Sequence, residues 1–297
     1  MRNFISALFV AALCITTPAN AAPEDHFANN AGVKIHYVTD GSGPLVVMLH
    51  GFPGFWYSWS PLMNALKDKY RVVALDMRGY NLSDKPKGVD AYKFAALIGD
   101  VAAVIAAEGK KNAIVIGHDW GAAVAWQVAL NRPDLVNHLI IMSVPHPAGF
   151  AREMASNADQ QKNSQYARDF LQPGAEKMLT AEGLAQGVPD PGDRAKYVEA
   201  YRRSDFTAML NYYRANYPRD TSASLSALPP LPRIAVPVLV IHGMKDQALN
   251  AAGHNGTWNW VDSDTTLLMI PSAGHFVQFE AAALVNRTVR DWLDARP

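Results

Sequence analysis

Residues 113–121 read Ala113-Ile114-Val115-Ile116-Gly117-His118-Asp119-Trp120-Gly121, and a helix-like stretch follows over 122–131. An apolar run, a turn flanked by glycines and a helix, in that order, predict a strand–tight turn–helix unit with a carboxylate at its apex. An aspartate ahead of a helix is ordinarily an N-cap. Gly117 and Gly121 weigh against that reading, because they relieve crowding on both sides of the turn and a plain cap needs no such relief. The chemistry of the apex residue then matters. A serine that attacks saturated carbon forms an ether, which water does not readily cleave. A carboxylate forms an ester, which can be hydrolysed at its carbonyl. Asp119 therefore predicts a hydrolase acting on a strained or activated sp³ carbon.

The same pattern extends outward along the chain. Short continuous apolar runs at 45–49, 72–75, 113–116, 138–142, 238–241 and 266–270 suit strands buried on both faces of a parallel sheet, and 33–38 alternates like a half-exposed strand. Amphipathic stretches at 62–69, 94–108 and 122–131 lie between several of them, so the fold class is α/β, with a mostly parallel sheet and helices on both faces. The alternation stops between Pro145 and Pro232. That region holds helix-like segments at 151–159, 193–203 and 206–216 and ends in the stiff linker Leu228-Pro229-Pro230-Leu231-Pro232. The expected organisation is a core domain over 22–144 and 233–297, interrupted by a helical cap over 145–232.

The N-terminus predicts a secretory signal over 1–21: Arg2, an apolar run at 4–15 too short to span a bilayer, and Ala19-Asn20-Ala21 as an A-x-A cleavage site. The expectation is export to the periplasm or the extracellular space, with no stable membrane anchor after processing. Cys14 is the single cysteine, so the processed chain would hold no disulfide. The 297 residues are 49% hydrophobic with zero formal net charge. That composition supports one large core and argues against a nucleic-acid partner or a strongly ionic substrate.

Two further residues join Asp119 at strand ends. Asp246 follows Val238-Leu239-Val240-Ile241-His242-Gly243, and His275 follows the 266–270 run in Ser272-Ala273-Gly274-His275-Phe276. Open α/β sheets place their sites at these carboxyl ends. The order nucleophile, acid, histidine gives Asp119 as nucleophile, His275 as general base near its ordinary pKa, and Asp246 as the acid that orients the ring. Hydrolysis of the ester needs an oxyanion hole. The backbone N–H of Trp120 is one donor and that of Phe52, in the turn His50-Gly51-Phe52-Pro53, is the other. His50, Pro53 and Phe276 are expected to wall the substrate pocket, with Phe52, Phe55, Trp56 and Trp59 as further apolar candidates. His118 and His146 read as structural. No H-x-x-x-H pair with an intervening acid and no Asp/His cluster predicts a metal, and no organic cofactor is implied.

Taken together, these residues resemble the epoxide hydrolases of the α/β-hydrolase fold, and the resemblance covers nearly all of the processed chain. His50-Gly51-Phe52-Pro53 is similar to the family's H-G-x-P, Asp76-Met77-Arg78-Gly79-Tyr80 with Ser83 and Pro86 to its D-x-R-G-[YF]-x-x-S-x-x-P turn, and Gly117 to Gly121 to its H-D-W-G elbow. Val144-Pro145-His146-Pro147 is similar to the entry into its cap. The resemblance implies two cap tyrosines that hydrogen-bond the epoxide oxygen. Tyr166 lies in a Y-x-x-x-F-Q-x-P-G-x-A-E-like segment, shifted by one residue at Gln172, and Tyr213 lies in Leu210-Asn211-Tyr212-Tyr213-Arg214. Tyr212 and Tyr217 are their rivals, and the helical step of ~100° keeps Tyr212 and Tyr213 from facing one pocket equally. A phenol stays protonated at neutral pH and can donate to a departing alkoxide, whereas a halide needs weak N–H donors such as indoles. The implied reaction is hydrolysis of a small hydrophobic epoxide, with water as co-substrate, to a vicinal diol. The alternatives are a haloalkane or haloacetate dehalogenase with the same Asp-His-Asp triad, or an exported binding or signalling protein on the hydrolase fold.

Overall fold

A computed structural model describes residues 22–218 and 231–296. The expected signal segment, and Leu228 to Pro230 of the expected linker, lie outside the described residues. Eight strands form one sheet: β1 (Glu24–Asn30), β2 (Val33–Asp40), β3 (Leu45–Leu49), β4 (Arg71–Leu75), β5 (Ala113–His118), β6 (Val136–Met142), β7 (Val238–Gly243) and β8 (Thr265–Ile270). Their order is β1-β2-β4-β3-β5-β6-β7-β8, antiparallel at β1/β2 and β2/β4 and parallel from β4 to β8. Every residue of β3, β5 and β7 is buried, as continuous apolar runs require of strands covered on both faces.

The strand period of two sorts these side chains into two cores. Val47, Leu49, Val115, Ile141 and Val240 pack under α2 (Phe94–Ala107) and α3 (Trp120–Asn131). Val46, Met48, Ile116, Ile140 and Ile241 pack against α1 (Ser60–Leu66) and α11 (Ala282–Asp294). Between β6 and β7 the described residues form six α-helices, α4 (Pro147–Ser156), α5 (Ala158–Asn163), α6 (Gln165–Phe170), α7 (Ala181–Ala185), α8 (Pro191–Arg203) and α9 (Phe206–Asn216), and a short 3-10 turn at Ala175–Met178. They contribute no strand there beyond a single bridge from Ile234 to Val261. A short α10 (Val277–Glu280) precedes α11. Among the described residues no helix is long and apolar enough to cross a membrane.

Polar contacts fasten the helical segment to the sheet. The Tyr212 hydroxyl on α9 donates to the Arg78 carbonyl at 2.9 Å. Arg78 is itself buried and paired with Asp100 of α2. On α8, Asp193 accepts from the Tyr57 hydroxyl at 2.8 Å, and Tyr197 shares a 3.0 Å hydrogen bond with Ser58. The loop after β3 is thereby tied to the helices above it.

Candidate active site

The turn after β5 brings the apex residue into a conformation few side chains adopt. Asp119 has φ 50° and ψ −124°, and its side chain makes no cap hydrogen bond to α3, so it is free for other work. The flanking glycines are steric necessities. A Cβ on Gly121 would stand 2.0 Å from the Leu49 carbonyl oxygen, and one on Gly117 would stand 2.4 Å from the Gly121 carbonyl oxygen. A Cβ on Gly51 would meet the Asp119 side chain itself at 2.3 Å.

Each carboxylate oxygen of Asp119 faces a different group. Oδ1 accepts from the Phe52 backbone N–H at 2.7 Å. Oδ2 faces His275 Nε2 at 3.4 Å. His275 Nδ1 lies 2.8 Å from Asp246 Oδ2, while Asp246 Oδ1 accepts from the Ala248 and Leu249 N–H groups at 2.7 and 3.0 Å. The Trp120 N–H opens α3, where no intrahelical acceptor exists. The sheet thus brings Asp119, His275, Asp246, Phe52 and Trp120 to one point at the carboxyl ends of β3, β5, β7 and β8.

The electrostatics depart from expectation at His275. Burial alone would lower its pKa, but hydrogen bonds to Asp119 and Asp246 and the charges of both carboxylates outweigh it and raise the value to about 10. The expectation of a base near its ordinary pKa is corrected: between two carboxylates the resting ring is an imidazolium. Asp119 and Asp246 shift the other way. Burial works against ionisation, but His275 holds both below the usual carboxylate range.

A cavity of about 380 Å³ opens on Asp119. Asp119, Trp120, Tyr166 and Tyr213 all line it, with Phe94, Trp126, Phe150, Met154 and Tyr217 among its apolar walls. The Tyr166 and Tyr213 rings stand edge to face, centroids 6.2 Å apart. Tyr213 is 2% exposed; Tyr166 keeps 36% of its surface accessible while lining the cavity. Burial, followed for Tyr166 by the charge of Asp119 and for Tyr213 by Tyr166 and Asp119, pushes both phenols well above their usual range. Tyr212 turns away to Arg78, and Tyr217 lines the cavity beside Met154.

The expected pocket walls are corrected. His50, Pro53 and Phe276 are absent from the cavity lining, as are Phe52, Phe55, Trp56 and Trp59. His50 is buried beneath its own turn, Nδ1 against the Gly51 carbonyl and Nε2 accepting from the Met77 N–H at 3.0 Å. Pro53 sits in that same turn. Phe276 packs on the rings of His118 and His275, Trp59 is in the core, and Phe55 packs edge-on against Tyr197. Instead, α3 and α4 supply much of the wall, joined by residues of α2, α6 and α9. Spacing on α3 could have shown this, because Ala123, Trp126 and Gln127 follow Asp119 at helical intervals. The Asp76 motif is scaffolding for the turn: buried Asp76 accepts from Trp56 N–H at 2.9 Å and Asn81 at 2.8 Å, and pairs with His36 at 2.6 Å. His118 donates to the His275 carbonyl at 2.9 Å, and His146 caps α4 and stacks on Trp260. Among the described residues no group of three His, Cys, Asp or Glu side chains is placed to hold a metal.

Comparison with known proteins supplies the family. The alpha/beta hydrolase fold family matches residues 44–282. An AB hydrolase superfamily protein of Bacillus subtilis, YfhM, is 36% identical over 283 residues, covering 90% of this chain and 96% of that protein. Epoxide hydrolase 1 of Caenorhabditis elegans is 33% identical, covering 88% of this chain and 68% of that protein. A solved structure of a variant epoxide hydrolase from Bacillus megaterium superposes with a TM-score of 0.83 at 31% identity, covering 91% of this chain and 100% of that one. A strand-end carboxylate, histidine and acid on an eight-stranded, mostly parallel sheet, together with these likenesses, make the chain a hydrolase of the α/β-hydrolase family, on its epoxide-hydrolase branch.

Proposed function

We propose that this protein hydrolyses a small hydrophobic epoxide to a vicinal diol through an alkyl ester on Asp119. The observation that carries the reading is the opening of one cavity onto both the Asp119 carboxylate and the two phenols of Tyr166 and Tyr213. An epoxide lying between them has an electrophilic carbon on one side and an oxygen needing a hydrogen-bond donor on the other. A relative supports the substrate class: another variant of an epoxide hydrolase from Bacillus megaterium was crystallised with its product, (R)-3-[1]naphthyloxy-propane-1,2-diol.

The steps follow from which atoms are already engaged. Oδ1 is held by the Phe52 N–H, so Oδ2 forms the new bond to carbon as the ring C–O bond breaks. The departing oxygen takes a proton from the phenol pair, whose raised pKa keeps it protonated beforehand. Ester formation removes the negative charge of Asp119, one of the two that hold His275 protonated. The imidazolium then gives up its proton, which balances the one the phenol lost, and becomes a base. Water adds to the ester carbon as His275 takes its proton. Oδ1 carries the developing oxyanion against the Phe52 and Trp120 N–H groups. Collapse breaks the bond from the ester carbon to Oδ2, the remaining proton of the added water passes to that departing oxygen, and the diol leaves with the carboxylate and the His275 imidazolium restored. Asp246, hydrogen-bonded to Nδ1, fixes the tautomer throughout.

A panel of styrene-type epoxides, aliphatic epoxides and haloalkanes, scored separately for diol and for halide, tests the reading. Diol from the epoxides with little halide is expected. Halide release without diol would give the site to dehalogenation, and turnover of neither would leave the fold to a binding role.

A further inference from the structure

Ser143 follows the last residue of β6, is fully buried, and has φ 71°, a region that favours glycine. The Val144 N–H bonds back to the Met142 carbonyl at 3.0 Å across it, closing a three-residue turn of the rare positive-φ kind. Such a conformation is costly for a residue with a side chain and persists where its surroundings over-determine it. Glycine would fit this backbone more easily but has no hydroxyl. Here the hydroxyl donates to the His275 carbonyl at 2.7 Å. The other lone pair of that carbonyl is taken by His118 Nε2 at 2.9 Å. The Ser143 backbone is pinned in turn: its N–H donates to the Ile241 carbonyl at 3.0 Å, and its carbonyl accepts from His242 Nδ1 at 3.2 Å. Resting on the triad mechanism proposed above, we infer that Ser143 is a positioning residue for the base, clamping the His275 main chain from the end of β6 so that its ring holds the line between Asp246 and Asp119.

His275 does its work in the second half of the reaction, so that half should feel the clamp. Ser143→Gly removes the hydroxyl while suiting the backbone, and Ser143→Ala removes it while keeping the strain. In rapid-quench mass spectrometry with a styrene-type epoxide, Ser143→Gly is expected to form the ester at the wild-type rate. Its hydrolysis should slow by about tenfold to a hundredfold, the scale of a misplaced catalytic group, so the adduct accumulates while the melting temperature holds. Unchanged hydrolysis, or equal slowing of both halves with a fall in melting temperature, would overturn the inference. If even the wild type forms no ester, the proposed reaction fails, and the His275 Nδ1–H proton resonance still decides the role of Ser143. A shifted or broadened signal in Ser143→Gly supports the clamp, and an identical signal refutes it.

Discussion

Tyr212 and Tyr213 are neighbours with opposite tasks. The Tyr212 hydroxyl is spent on the Arg78 carbonyl, whereas Tyr213 lines the cavity with Asp119. Tyr213→Phe is expected to slow epoxide opening by about a hundredfold or more, the usual effect of removing a preorganised donor. Tyr212→Phe leaves a buried carbonyl short of one partner and should cost about 1–3 kcal/mol of stability with little change in turnover; steady-state kinetics and thermal melts on the pair of variants check both statements. Asp246→Asn should lower kcat by several orders of magnitude, on the order of 10⁴ by analogy with other triads, by presenting the wrong tautomer to water. Asp119, Asp246 and His275 were legible in the sequence because each follows a short apolar run that reads as a strand, although only Ile270 of the strand before His275 is buried. The ionisation of His275 was not, because it depends on the 2.8 and 3.4 Å approaches of two carboxylates that come from distant parts of the chain. His50, Pro53 and Phe276 were misread for a related reason: adjacency in the chain to the oxyanion turn, or to His275, says nothing of which side a ring occupies.

At the scale of elements, the elbow is set by how closely α3 approaches β3. Gly121→Ala forces a methyl group against the Leu49 carbonyl oxygen at 2.0 Å, with backbone on both sides. Overpacking of this kind costs typically about 1–3 kcal/mol or more, so the variant should melt several degrees lower and lose activity as Asp119 shifts; wild-type melting and turnover would count against a close-packed elbow. The buried strands β3 to β7 were readable from their apolar runs. β1 was not, since in Glu24–Asn30 only Ala28 is buried and the strand is held by pairing with β2 rather than by burial. α11, not singled out in the sequence, buries Val285, Val289, Trp292 and Leu293 as one wall of the core under the sheet. α5, α6 and α7 are five or six residues each, too short for a hydrophobic period to register.

At the scale of the molecule, buried histidines set the pH limits. Burial lowers His118 and His146 to about 4, and burial with the charge of His242 lowers His254 to about 3. Unfolding lets these rings take protons below their ordinary value of 6.5, so their contribution is whole above that pH and is lost as pH falls toward 4. His275 has the opposite sign. Its raised pKa contributes stability below 6.5 that is lost as pH climbs toward 10. Melting temperature should therefore fall on both sides of a maximum near neutrality, and His275→Gln should flatten the alkaline side while also altering the acid side, because Asp119 and Asp246 lose the partner that lowers them. A flat profile from pH 4 to 10, measured by calorimetry, would contradict this balance of charges.

The bond between Asp119 and substrate is the claim on which the rest depends. His275→Gln, mixed with a styrene-type epoxide and analysed by peptide mass spectrometry, should carry the full mass of the epoxide on the peptide containing Asp119, because the ester forms and its hydrolysis stalls. An unmodified Asp119 peptide, in a variant that still binds the epoxide, would contradict covalent attack by the carboxylate.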